Sequence, residues 1–136
     1  MKNKLMKKIE VVAAVIESNS KYLAVQKGET KHEHSSYKWE FPGGKIEQGE
    51  TQQQALIREI QEELDLEITK LDFLCTVNHQ YPNFELVMHC FICPVEKPKF
   101  KLNEHIAYNW LDLNKLKGFD WAAADLPVID SLINSK

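Results

Sequence analysis

Apolar residues fall into short runs along this chain, and the spacing inside each run predicts its element. Residues 10–16 and 22–26 are β-rich, and Ser18-Asn19-Ser20 between them predicts a hairpin. Residues 27–37 are polar and read as a loop over one end of the sheet. Two more strands are expected at residues 68–79 and 84–92, joined by a turn at Gln80-Tyr81-Pro82-Asn83. The second of them sets Phe84, Leu86, Met88, Cys90 and Ile92 at period two. Residues 107–111 make a further short strand, and residues 126–133 are apolar enough for a closing helix. Leu56, Ile57, Ile60 and Leu64 instead recur at helical spacing, and Thr51 with Gln54 forms a capping-box pair that starts this helix near Thr51. The fold class is therefore α/β, with no repeat, low-complexity segment or interdomain linker in the sequence.

The polar face of that helix carries the chemistry. Glu59, Glu62 and Glu63 stand at i, i+3 and i+4, so their side chains meet within one turn, with Glu50 just upstream. Like charges at this spacing repel by about 0.2–0.5 kcal/mol per pair. Arg58 supplies one positive charge, to Glu50 or Glu62, and one is too few for four carboxylates. Such an oxygen-rich cluster suits Mg²⁺ or Mn²⁺, which take few carboxylates and complete their shell with water and substrate phosphate. A solvated acidic helix face is the competing reading.

Spacing separates the two. From Gly44, five residues lead to Glu50, and seven more lead to Arg58-Glu59-Ile60-Gln61-Glu62-Glu63-Leu64-Asp65-Leu66, which closely resembles the signature of the Nudix hydrolases. Asp65 stands where that signature has a glycine at the helix end; Asp tolerates the left-handed conformation less well, so a small stability cost is expected. The stretches 9–16, 39–44 and 121–127 extend the resemblance over roughly residues 9–132, to the MutT-like branch and, within it, the CTP pyrophosphohydrolase type. The resemblance implies one Nudix domain over residues 1–136, an α/β/α sandwich with a mixed sheet between helices. It also implies Mg²⁺-dependent cleavage of a nucleoside triphosphate between its α and β phosphates, with attack at the β position in MutT-like relatives.

Site residues follow from the same resemblance. Gly43 through its carbonyl, and Glu59, Glu62 and Glu63 through their carboxylates, are the implied metal ligands, and Glu50 pairs with Arg58 to orient the helix. Glu104, in Asn103-Glu104-His105, matches a loop glutamate that contacts metal or activates water. Lys27 takes the place of a substrate-contacting arginine, a point charge without the bidentate fork. Asp125 matches the asparagine with which MutT reads an oxidised guanine. Taken as ionised, it accepts hydrogen bonds only and suits cytosine N4, although guanine N1 and N2 or adenine N6 would also serve. Asp125 ahead of Leu126-Pro127 equally makes a helix N-cap. Trp39, Phe41 and Trp121 either stack on a base or fill the core, with the core expected for at least two of them.

Composition narrows the partners. With 43% hydrophobic and 27% charged residues the chain is of ordinary globular make-up, and a net charge of −3 gives no general attraction to nucleic acid. The apolar run 11–16 is too short for a signal or membrane segment, so a soluble, cytoplasmic protein is expected, with no membrane partner. Cys90 and Cys93 form a C-x-x-C on a strand, where they should face opposite sides, so core cysteines are expected rather than a zinc or redox site. His32 and His34 lie in a polar loop and read as solvated. The expected substrate is a (deoxy)cytidine triphosphate, with or without a modification at cytosine C5, and 8-oxo-dGTP is the alternative. A non-catalytic nucleotide-binding module often loses glutamates that this chain keeps. A Nudix-like repair glycosylase needs a long N-terminal region absent here, and Pro82 is a common turn residue that adds little support for ADP-ribose.

Overall fold

The computed structural model describes residues 7–33 and 35–136, so His34 and the basic residues 1–6 lie outside the described residues. Strand β1 (Lys7–Ser18) is apolar on both faces because both are covered. Val12, Ala14 and Ile16 point to one cluster, Ala13 and Val15 to the other. Asn19 and Ser20, with φ of 51° and 64°, then turn the chain into β2 (Lys21–Gln26), a two-residue turn whose twist matches the strands. Short strands β3 (Trp39–Glu40) and β4 (Gly43–Lys45) follow, neither evident from periodicity.

Helix α1 (Gln52–Leu64) starts as its capping box requires, with Thr51 Oγ1 accepting from the Gln54 amide and Gln54 Oε1 from the Thr51 amide. It ends at Asp65, held in the left-handed conformation at φ 54°. Ala55, Leu56, Ile60 and Leu64 are fully buried; a side chain of this size contributes about 1.5–3 kcal/mol by burial. Strand β5 (Asp72–Gln80) begins later than periodicity suggests, because Leu66 and Ile68 leave the ladder to join the cluster beneath α1. Strands β6 (Phe84–Pro94) and β7 (Ala107–Leu111) complete the sheet. A 3₁₀ turn at Leu113–Gly118 and another at Ala123–Asp125 lead into helix α2 (Leu126–Asn134).

The sheet runs β3-β2-β1-β6-β5, with β4 also on β1 and β7 also on β2. Among the described strands β1 and β6 pair in parallel, from Lys7↔Phe84 to Glu17↔Pro94, and the other strand pairs are antiparallel, so the sheet is mixed. One core cluster lies between the sheet and α1, the other between the sheet and α2, giving the expected α/β/α layering. Cys90 and Cys93 are buried in different clusters, so they do not converge; Cys75 is the register partner of Cys90 on β5. Among the described residues no helix is long and apolar enough to cross a membrane.

Candidate active site

Close approach of β4 to its neighbours builds the site. Gly43 pairs with Ala13 and Gly44 with Val12, and both glycines are pressed from outside the strand. A methyl group on Gly43 would overlap the Val12 carbonyl, and one on Gly44 would overlap the Glu59 carboxylate. Bare backbone thus lets the acidic face of α1 lie against β4, where the Gly43 amide donates to Glu63 Oε1 at 3.2 Å.

Arg58 organises the other glutamates. Its Nε and Nη2 donate to the two oxygens of Glu50 at 2.6 and 2.9 Å, and Nη2 also reaches the Lys45 carbonyl at 3.0 Å. Its Nη1 donates to Glu59 at 2.8 Å and to Glu62 at 3.3 Å. The expected Glu50–Arg58 pair is therefore bidentate, and Arg58 also ties the helix to the loop before it. Donation by Arg58 holds the Glu50 carboxyl at about 2, and the Arg58 guanidinium is held charged beyond its ordinary range by Glu50 first.

Glu63 is different: buried, with no cation beside it. Desolvation pushes its carboxyl up to about 9, reinforced by the charges of Glu40, Glu104 and Glu59. Glu59 is raised by burial as well, despite Arg58. Among the described residues no three acidic, His or Cys side chains converge on one point, and Arg58 holds Glu59 and Glu62 to its own side. The donor set nevertheless fits a hard divalent cation: carboxylate oxygens, partly desolvated, repelling one another and short of positive charge. Gly43, Glu59, Glu62, Glu63 and Glu104 are the residues available to hold it.

Beside this cluster opens a cavity of about 900 Å³. Gly43, Glu63 and Glu104 line it, and so do Lys27, Phe41 and Asp125. Trp39 is not on its wall; it packs edge-on against Phe119. Trp121 stacks against Phe41 in the core, and the indole N–H donates to the Leu116 carbonyl. His32 also lines the cavity, in the polar loop the sequence led us to expect.

Asp125 arrives there through strand pairing. The Trp39 amide donates to the Asp120 carbonyl and the Ala122 amide to the Trp39 carbonyl, so β3 carries the Ala123–Asp125 turn over Phe41. The capping role expected of Asp125 is not realised, since its side chain makes no bond to α2. It is buried instead, with Oδ1 lacking any partner. Burial, then the nearby Glu40, raises its pKa well above the usual range, against a Phe41 amide that favours the charge. Burial thus favours the neutral acid over the ionised acceptor expected from the sequence, and a neutral acid offers one donor and one acceptor.

Two site residues escaped the sequence reading. Glu40 accepts from His105 Nε2 at 2.9 Å and lies 3.7 Å from Lys27 Nζ, between the cluster and Asp125. Its signal was an acid flanked by Trp39 and Phe41, since a carboxylate in an apolar run needs a partner. His105, almost fully buried with Nδ1 unpartnered, gave no signal beyond its place after Glu104.

Fold, glutamate cluster and adjoining cavity define a phosphate-chemistry hydrolase, and the relatives agree. The NUDIX domain model matches residues 6–132, so the chain belongs to the Nudix family and is a Nudix hydrolase. Over 128 residues it is 33% identical to the CTP pyrophosphohydrolase of Escherichia coli (strain K12), covering 94% of this chain and 93% of that one. It is 37% identical over 86 residues to the 8-oxo-dGTP diphosphatase of Proteus vulgaris, covering 63% and 76%. The crystal structure of a MutT protein from Methanosarcina mazei Go1 shares the fold, with a TM-score of 0.86 at 24% identity, covering 98% of each chain. Nudix hydrolases generally use divalent metal cations.

Proposed function

We propose that this Nudix hydrolase is a single-domain, Mg²⁺-dependent pyrophosphohydrolase of (deoxy)cytidine triphosphates, including C5-modified ones, releasing the monophosphate and pyrophosphate. The observation that carries the reading is the buried, half-unpartnered Asp125 in the same cavity as Glu63 and Glu104. A neutral acid donates to cytosine N3 and accepts from N4. Phe41 offers the base an apolar wall, and Lys27 brings a positive charge to the same cavity. Gly43, Glu59, Glu62 and Glu63 would hold a divalent cation, which would neutralise phosphate charge and acidify water. Glu104 is the general base for the attacking water, and Glu50 with Arg58 keeps the ligand helix in register.

The relative named as a CTP pyrophosphohydrolase, matched along nearly its whole length, supports this reading. A second reading, 8-oxo-dGTP hydrolysis, is favoured by the Proteus relative and by the same neutral acid, which also meets the O6 and N–H edge of a guanine.

One panel decides between them: kcat/KM for CTP, dCTP, 5-methyl-dCTP, 8-oxo-dGTP and ADP-ribose. Cytidine substrates should lead by at least about tenfold, the discrimination one buried hydrogen-bonding pair provides. Asp125→Asn, which keeps a donor and an acceptor, should retain that preference, and Asp125→Ala should erase it. Equal, slow turnover of all five would refute base reading by Asp125. Glu62→Gln should abolish turnover with the fold intact, and activity retained in excess Mg²⁺ would remove Glu62 from the ligand set.

A further inference from the structure

The last turn of a helix leaves carbonyls without partners inside the helix. In α1 the Gln61 carbonyl takes the Asp65 amide, but those of Glu62, Glu63 and Leu64 are filled from far along the chain. The Lys101 amide donates to the Leu64 carbonyl at 2.8 Å, and the Asn103 amide to that of Glu63 at 2.9 Å. The Asn103 side chain supplies the third bond, Nδ2 to the Glu62 carbonyl at 2.9 Å. The segment that closes the glutamate helix is therefore the one that carries Glu104.

Earlier in that segment the Val95 amide donates to the Glu17 carbonyl at 2.9 Å, and Val95, Phe100 and Leu102 pack against the cluster beneath α1. Residues 95–106 form the connection from β6 to β7 and contain no regular element. Beyond Glu104 it is fastened twice more: the Ile106 amide donates to the Gln26 carbonyl at 3.0 Å, and His105 Nε2 bonds Glu40 at 2.9 Å. A carboxylate only accepts, so Nε2 carries the hydrogen of that bond. Glu104 thus sits between two side-chain anchors, one on α1 and one on β3, and it shares the cavity wall with Glu63.

We propose that Asn103 is a positioning residue for the hydrolysis: by capping the Glu62 carbonyl it fixes Glu104 against the metal-ligand helix, with His105 securing the other flank through Glu40. The inference rests on the assignment of Glu104 as the base. Asn103 touches neither substrate nor reacting atoms and acts through its neighbour. Because its amide grips the helix that bears Glu62 and Glu63, the base and the carboxylates move as one body.

A double-mutant cycle tests this, run with whichever of dCTP and 8-oxo-dGTP turns over faster and with each variant's folding checked by thermal unfolding. Asn103→Ala should lower kcat by about 10- to 100-fold, as loss of a ligand-orienting partner does, with KM within about twofold. Added to Glu104→Gln it should cost nothing more, because the group it positions is already disabled. On the other flank, Gln reproduces the Nε2 donor, so His105→Gln should keep most of the rate and His105→Asn should not. If Asn103→Ala is too unstable to assay, Asn103→Leu, which keeps the side-chain size without a donor or a charge, takes its place with the same expected loss. Losses that multiply across the cycle, or an unchanged kcat without the Asn103 amide, overturn the positioning role while leaving Glu104 in place. Full activity of Glu104→Gln overturns the base assignment itself, and the inference with it. Equal rates for the two His105 variants overturn the anchor through Glu40.

Discussion

Glu50 accepts from Nε and Nη2 along one edge of the Arg58 guanidinium and from the Glu47 amide, and its carboxyl lies at about 2. Its ordinary value is 4.5, so the folded protein holds the charged form more tightly than the unfolded chain does. A lowered folded pKa contributes stability that is complete above 4.5 and is lost as pH falls toward 2. Glu50→Gln should therefore be less stable than the wild type at pH 7, with the gap narrowing below 4.5 and closing near 2. Urea unfolding across that range, in chelator, measures it; a constant gap down to pH 2 would mean that Glu50 contributes packing and no charge. At this scale the sequence was legible where chemistry depends on neighbours along one helix, as in Glu50 with Arg58. It was not legible at Asp125, whose pKa is raised first by burial and then by Glu40, a residue eighty-odd positions earlier.

At the scale of elements, the strands and helices with a clear period were legible, and β3 and β4 were not. Two or three residues show no period, and these strands exist because long neighbours pair with them: β4 with β1, and β3 with β2 and the segment at Trp121. Yet β4 is the element on which the site is mounted. Its two glycines should separate stability from activity. Gly43→Ala drives a methyl into the β1 backbone, which has no way to yield cheaply, and should lower unfolding free energy by about 1–3 kcal/mol, as overpacking does. Gly44→Ala meets only the end of the Glu59 side chain, which can swing aside. Stability should then change little, while turnover falls because the carboxylate proposed as a metal ligand has been displaced. Denaturant melts and kcat for both variants check the contrast, and it fails if Gly44→Ala is fully active. Asp65 makes a parallel case: the sequence predicted a tolerated left-handed C-cap, and Gln61 Nε2 donating to its carboxylate helps to offset the strain.

For the whole molecule, the pattern of strands and helices gave the α/β class and the family resemblance implied the layering, but the convergence of distant segments was not legible. The parallel pairing of β1 with β6 and the docking of residues 101–103 on α1 bring together groups that no local pattern relates. That convergence leaves the molecule with an electrostatic deficit, because Glu40, Glu59, Glu63 and Glu104 act on one another while Arg58 serves mainly Glu50. A cation that binds only the folded state should relieve it. Mg²⁺ at about 100 times its dissociation constant should then raise the unfolding free energy by about 2.7 kcal/mol, measured by thermal melts against metal concentration in chelator-treated protein. Glu63→Gln should behave oppositely at the two ends of that titration. Without metal it should melt higher than the wild type, since a neutral amide removes the buried, repelled carboxyl; with metal it should gain less, having lost a ligand. Asp125→Ala, remote from the cluster, should show the full wild-type gain. A wild-type melt that ignores Mg²⁺, or a Glu63→Gln variant that gains as much as the wild type, would place the metal away from this helix.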